Sequence, residues 1–401
     1  MPRFAVLACT LGLAFAAGAP AAATETSAAL ARSHLEAGTL AAAERELGAV
    51  IARDAADQEA RFGLGAVRFL TAVEHLSQGF YRYGLKPASS GGLPILRLPV
   101  PENPRPQPIT YAAFRGILQR LSDDLAAAET ALAAMASAEM KVPLDLAAIR
   151  YDADGDGRAG DEERLLTVLS RMAGGRPAPA LVAFDRGDAY WLQGYCHALM
   201  SVADFLLAHD FEATFDNTFH LFFPAADLPL AKALAAPRAT YDDFADIVAF
   251  IHLVNWPVVD AAKMKGVRLH LKAMVDLSRK SWAAIEAEGD DEREWVPNPR
   301  QKDSVTGMSV TADQIAAWKT MLGEVDAVLD GRLLLPHWRL ARGFNLRRVF
   351  DEPRRFDLVM WVSGTGALPY LEDGPLTTAA RWTNITRPFG NGFATYFIWF
   401  N

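Results

Sequence analysis

Apolar residues recur at helical spacing along most of this chain. From Ser27, the stretches SAALARSHLEAG and TLAAAERELGAVIARD carry alanine or leucine every three or four positions and are separated at Gly38. That period gathers the apolar side chains on one face, so two helices are predicted, with a turn at the glycine. A longer amphipathic helix is predicted from Thr110 to Ala136, with Phe114, Leu118, Leu121, Leu125 and Leu132 along one side. More helices are expected over 185–208, 211–222, 240–256 and 261–288. Thr311 and Gln314 make a capping-box start for ADQIAAWKTMLGEVDAVLDG.

Two stretches break the helical period. Residues 86–109 are rich in proline, which lacks an amide proton and blocks helix, so they read as an extended connector. Near the C-terminus, FDLVMWV and FATYFIWF are β-branched and aromatic runs bounded by GTG and GNG, and they read as strands. The terminal run is apolar on both faces, which predicts burial. The expected fold is mainly α: a helical bundle or repeat-like body with a small C-terminal β element. The expected divisions are a leader over 1–23, a helical pair over 24–85, the connector over 86–109, a helical domain over 110–345 and a small α/β segment over 346–401.

Composition narrows the function classes. The 401 residues are 51% hydrophobic and 22% charged, which is ordinary for a globular chain. A formal net charge of -8 leaves no basic excess for a nucleic-acid partner. The nearest approach to a membrane span, IVAFIHLVNWPVV from Ile247, is interrupted by His252, Asn255 and Pro257 and is predicted to be a buried core helix. The N-terminus carries Arg3, an apolar run from Phe4 to Ala17, and then small residues. This is the layout of a secretory signal peptide cleaved after Ala23, so a periplasmic or secreted location is expected. Cys9 leaves with that leader and Cys196 stands alone, so no disulfide holds the mature chain.

Leu30, Ala31, Ala43, Leu47 and Val50 occupy small and apolar packing positions, and Leu64 and Gly65 recur 34 residues after Leu30 and Ala31. Over residues 27–80 this pattern resembles a tetratricopeptide repeat. Ser27 and Ala55 depart from it, standing where that family favours tryptophan and proline. An unrelated antiparallel helix pair would carry the same pattern.

The sharpest chemistry lies in YDADGDGRAGDEER, from Tyr151 to Arg164. Calcium takes six to eight oxygen ligands, so a site needs carboxylates converging from a tight loop. Within 152–163, Asp152, Asp154 and Asp156 stand at positions one, three and five, and Gly157 stands at six. Arg158 offers its carbonyl at seven, Gly160 leaves nine to water, and Glu163 stands at twelve. The loop resembles a solitary, dockerin-like EF-hand loop. The resemblance implies Ca2+ held by Asp152, Asp154, Asp156, Arg158 and Glu163, as a structural staple between the helix after Thr110 and an exit helix, EERLLTVLSRM. The loop departs from the helix-loop-helix pattern upstream, where Pro143 makes the entry a short helix or a strand-like segment. Ala159 is also smaller than the aliphatic that paired loops place at eight.

Weaker constellations admit two readings each. Glu212, Asp216 and His220 share a helix face in HDFEATFDNTFHLFFP, beside a stripe of Phe211, Phe215 and Phe219. They are either an acid/base or metal face of a hydrolase, joined by Asp185, Asp188 or an arginine from 339–355, or the polar flank of a core helix. The second reading is preferred. Cys196 and His197 are adjacent, which on a helix points them about 100° apart, so a buried inert thiol is expected. The arginines of LLPHWRLARGFNLRRVFDEPRRFD suit either an anion or glycan ligand or surface ion pairs, and the pairs are preferred. Taken together, the residues predict an exported calcium-binding protein whose role is binding a protein or envelope component, with no transmembrane segment in the mature chain.

Overall fold

A computed structural model of the chain describes residues 26–86, 94–135, 140–167, 181–233, 242–301 and 309–400. The predicted leader and the exit helix from Val168 onward lie outside these residues. The fold is mainly α with short two-residue and four-residue strands.

Helices α1 (Ser27–Ala37) and α2 (Leu40–Arg53) turn at Gly38, whose φ of 67° is the left-handed conformation that glycine adopts without a Cβ penalty. Helix α3 (Gln58–Arg82) starts at Asp57, whose side chain accepts from the Ala60 amide. Ala31, Ala43 and Leu47 are fully buried against it. At Ala72, 34 residues after Gly38, the repeat pattern calls for another turn, yet α3 continues straight to Arg82. It packs on α4 (Tyr111–Ala133) along both halves, with Gly65 in contact with Leu132 and Gly79 with Ile117. Of the connector, residues 94–109 are described, and they form no regular element apart from a 3-10 turn over Pro94–Arg97.

Strand β1 (Val142–Asp145) pairs antiparallel with β2 (Leu181–Phe184), Val142 facing Phe184. Helices α5 (Arg186–Leu207), α6 (Glu212–Thr218), α7 (Pro229–Ala233) and α8 (Asp242–Leu253) follow. Strand β3 (Asn255–Trp256) leads to the long α9 (Ala261–Ala287), which packs on α5. Helix α10 (Ala312–Leu329) opens with the predicted capping box of Thr311 and Gln314. One apolar core joins Ala28 to Trp256, so the N-terminal helices share a core with α4, α5 and α6. A second core, from Val275 to Phe400, surrounds Trp282 and Trp318.

Two expectations need correction. The runs FDLVMWV and FATYFIWF are not strands. Only Phe356–Asp357 is β5, paired with β3, and Gly343–Phe344 (β4) pairs with Leu371–Glu372 (β6). Leu346–Asp351 forms α11, Leu358–Ser363 forms α12 and Ala379–Thr386 forms α13. The last run is α14 (Phe393–Phe400), with Trp399 and Phe400 inserted into the second core while Phe397 and Ile398 face outward. Short aromatic runs lack a distinguishing period, and packing against Trp282 and Trp318 selects the helix. Nor is IVAFIHL a buried helix: in α8, Phe244, Ile247, Val248 and Ile251 are exposed, while burial resumes at Val254 and Trp256. Helix α8 packs on α6 and α12, and that packing leaves these four apolar side chains exposed among the described residues. Among the described residues, no helix is long and apolar enough to cross a membrane.

Candidate metal centre

The acidic loop is entered from β1, so a strand stands where a helix-loop-helix unit has its first helix. Asp145 accepts from the Ala147 amide and turns the chain, and Tyr151 is buried as an anchor. The base of the loop is closed by backbone bonds from Tyr151 N–H to the Glu163 carbonyl at 3.2 Å and from Leu165 N–H to the Ile149 carbonyl at 3.0 Å. Two contacts then fasten the loop to α3: the Asp152 amide donates to Glu74 Oε2 at 2.8 Å, and Gln78 Nε2 donates to the Asp152 carbonyl at 2.8 Å. The Arg150 amide donates to the Leu35 carbonyl at 3.0 Å, and Gly38 lies directly against Ala159. The loop is therefore seated on α1–α3.

Inside the loop the chain turns around its first carboxylate. Asp152 Oδ1 accepts from the amides of Gly155 at 2.7 Å and Asp156 at 3.1 Å, and Oδ2 accepts from Gly157 at 2.9 Å. This winding needs left-handed residues, and Gly155 and Gly157 supply them at φ 78° and 87°. It brings carboxylate oxygens of Asp152, Asp154 and Asp156 within 4.8 Å of one another. Glu163 closes the loop from the far side. Its Oε1 accepts from the Ala153 amide at 2.8 Å and its Oε2 from the Gly160 amide at 2.6 Å. Arg158 is exposed, its amide bonded to Asp156 Oδ1 at 2.8 Å.

Burial pushes the Asp154 carboxyl above its ordinary value, and the charges of Asp156 and Asp152 add to it. Burial likewise raises Glu74, with Asp152 and Glu163 contributing and the Asp152 amide opposing. An all-oxygen donor set with excess negative charge fits a hard divalent cation.

The other singled-out residues do not assemble. Glu212 is exposed, Asp216 and His220 are half-buried, and Phe211, Phe215 and Phe219 are buried core, which is the polar-flank arrangement. Asp185 and Asp188 cap the opposite end of the 22-residue α5, about 33 Å away at the helical rise per residue. The arginines of 339–355 are partly spent on ion pairs: Arg342 with Asp373, Arg347 with Asp351, and Arg348 with Glu352 and Glu372. Cys196 is fully buried, and burial pushes its thiol up to about 12, so it is inert as a nucleophile.

Sequence reasoning missed a second carboxylate group. Asp185 at the start of α5, Glu288 at the end of α9 and Glu294 bring oxygens within 4.8 Å, although over a hundred residues separate the first from the others. Only the acidic run DDERE hinted at it. Asp185 and Asp188 form a capping box on α5, and Gln301 donates to Glu288 Oε2 at 3.1 Å. Lys141 stands outside the group, paired with Asp290 and Glu292. Burial, then Asp185, push Glu288 up to about 9, and burial raises Asp188 and Glu294 as well. A raised folded-state value means the folded chain holds its proton more tightly, so this contribution is complete below the ordinary glutamate range and is lost as pH rises towards about 9. Glu288→Gln, which removes the titration, should flatten the fall in urea midpoint over that window. An equally steep fall in the variant would show that Glu288 does not carry the dependence.

No protein-family model, no curated protein and no solved structure matches this chain.

Proposed function

We propose that this is an exported protein whose 152–163 loop holds one Ca2+ as a structural staple, and that the body so fastened serves in binding rather than in catalysis. The observation that carries this reading is the convergence of Asp152, Asp154 and Asp156 on a loop wound by two left-handed glycines. The Arg158 carbonyl and Glu163 complete the proposed ligand set, in line with the resemblance to a solitary EF-hand loop. A bound divalent cation would neutralise the repulsion among these carboxylates and hold the loop, through Asp152, on Glu74 and Gln78 of α3. The leader over 1–23 supports export to a compartment where calcium is abundant, and affinities of about 0.1–1 mM suffice for such modules. The binding role, towards a protein or an envelope component, is favoured because Glu212 lies exposed on the flank of a helix whose Phe211, Phe215 and Phe219 are core.

Calcium titration by calorimetry, paired with thermal unfolding in calcium and in chelator, tests the staple. At calcium a hundredfold above Kd, a loop loaded only in the folded state contributes about 2.7 kcal/mol. Asp152→Ala should remove both the binding heat and the calcium-dependent rise in Tm. A Tm that is the same in calcium and chelator for the unaltered chain would discard the reading.

A further inference from the structure

Beside the acidic loop, a cleft of about 580 Å3 opens between the second half of α3, the segment 103–107 and the first half of α4, with Asp154 and Gly155 at one end. That volume lies in the range of small-molecule sites. On its α4 side a Cβ added at Gly116 would meet nothing within 4 Å, so this point of α4 faces open space. The walls carry Arg82, Arg105 and Arg120, and Asp154 is the one carboxylate among the described lining residues.

The neutral polar groups here are already engaged in bracing the walls. Gln78 Nε2 holds the Asp152 carbonyl, Asn103 Nδ2 donates to the Tyr81 carbonyl at 2.8 Å, and Gln107 Oε1 accepts from Arg82 Nε at 2.8 Å. Arg82 also lies 5.5 Å over the Tyr83 ring, which fixes the plane of its guanidinium. The cations keep donors to spare. Arg120 reaches Asp124 only at 3.8 Å with a largely exposed side chain, while His75 holds Asp124 at 2.7 Å. Arg105 is in no ion pair among the described residues, and its backbone amide is what bonds Asn103. Guanidinium groups present forked donors that match carboxylate and phosphate oxygens in pairs.

We propose that this cleft binds a small anionic molecule carrying carboxylate or phosphate-ester groups, clamped by Arg82, Arg105 and Arg120 beside Gly116. The site goes beyond the calcium reading, and one consequence rests on it: calcium in the loop would offset the charge of Asp154 and raise anion affinity.

Calorimetry of the full chain with glucose 6-phosphate and with succinate tests the proposal and separates the two chemistries. At least one probe should bind with a stoichiometry of one. Arg105→Gln should weaken it about tenfold or more, the loss expected for a charge-assisted paired contact. Gly116→Leu should block binding while holding or raising Tm, because leucine is the better helix former and its Cβ meets nothing within 4 Å. Failure of both probes to bind overturns the site, and so does binding that survives Gly116→Leu, which would place the anion on the outer surface. Calcium binding is measured without the anion, so calcium binding without anion binding defeats the cleft alone, and anion binding without calcium binding defeats the staple alone.

Discussion

Phe114→Ala should lower the unfolding free energy by about 3–5 kcal/mol, the cost of removing a fully buried phenyl ring and leaving a cavity. Phe114 has no exposure, and its ring lies 4.8 Å from that of Phe219, with Phe211, Phe215 and Phe223 at 6.1, 6.2 and 6.4 Å. Four rings at successive turns of 211–223 therefore close around one side chain of α4. Collapse of that space is opposed by Thr214, whose hydroxyl is held by the Leu253 carbonyl at 2.7 Å. Denaturant unfolding reads the effect directly. Glu212→Ala, on the exposed side of the same short helix, should stay within about 0.5 kcal/mol. A loss below about 1 kcal/mol for Phe114→Ala would show that this aromatic cluster does not anchor α6 to α4.

Gly38→Ala should cost about 2–5 kcal/mol, from two separable sources. The residue sits at φ 67°, where a Cβ clashes with its own backbone, and that Cβ would lie 2.2 Å from Ala159 Cβ. The second source belongs to the loop docking, not to the helix cap. Ala159→Gly in the Gly38→Ala background should restore the part due to the clash, about 1–3 kcal/mol, and leave the dihedral cost in place. Unfolding of the two single variants and the double variant gives this coupling as a cycle. Strict additivity would mean that Gly38 and Ala159 do not touch, and that the loop is not seated on the corner between α1 and α2. Where the loop is displaced by the clash, its proposed calcium affinity should fall in parallel, recovering in the double variant.

Much of the helical body could be read directly from residue order. Thr26, Asp57, Thr110 and Thr311 cap the helices that follow them, because a side-chain oxygen next to free amide groups is a local device. The winding of the acidic loop is local for the same reason: Asp152, Gly155 and Gly157 lie within six residues, and their bonds close inside the segment. Local order also predicted a buried Cys196 and left a short helix or a strand-like segment at Pro143, where the folded chain forms the strand.

Tertiary structure decided what local order leaves degenerate. FATYFIWF satisfies strand and helix propensity alike, and contact of its last two residues with Trp282, Trp318 and Trp295 makes it a helix. IVAFIHL is apolar enough for a core, but burial depends on what covers a face, and Ile247, Val248 and Ile251 stay exposed. The long run of α3 past Ala72 follows from the surface α4 offers it, which no repeat period contains. The seat of the loop on Glu74, Gln78 and Gly38, the grouping of Asp185 with Glu288 and Glu294, and the arginine-lined cleft all join residues far apart in the chain. Amino-acid order determined the helices, their caps and the shape of the acidic loop, since those depend on neighbours a few residues away. Which charges face one another depends on how the helices pack, and only the folded chain decides that.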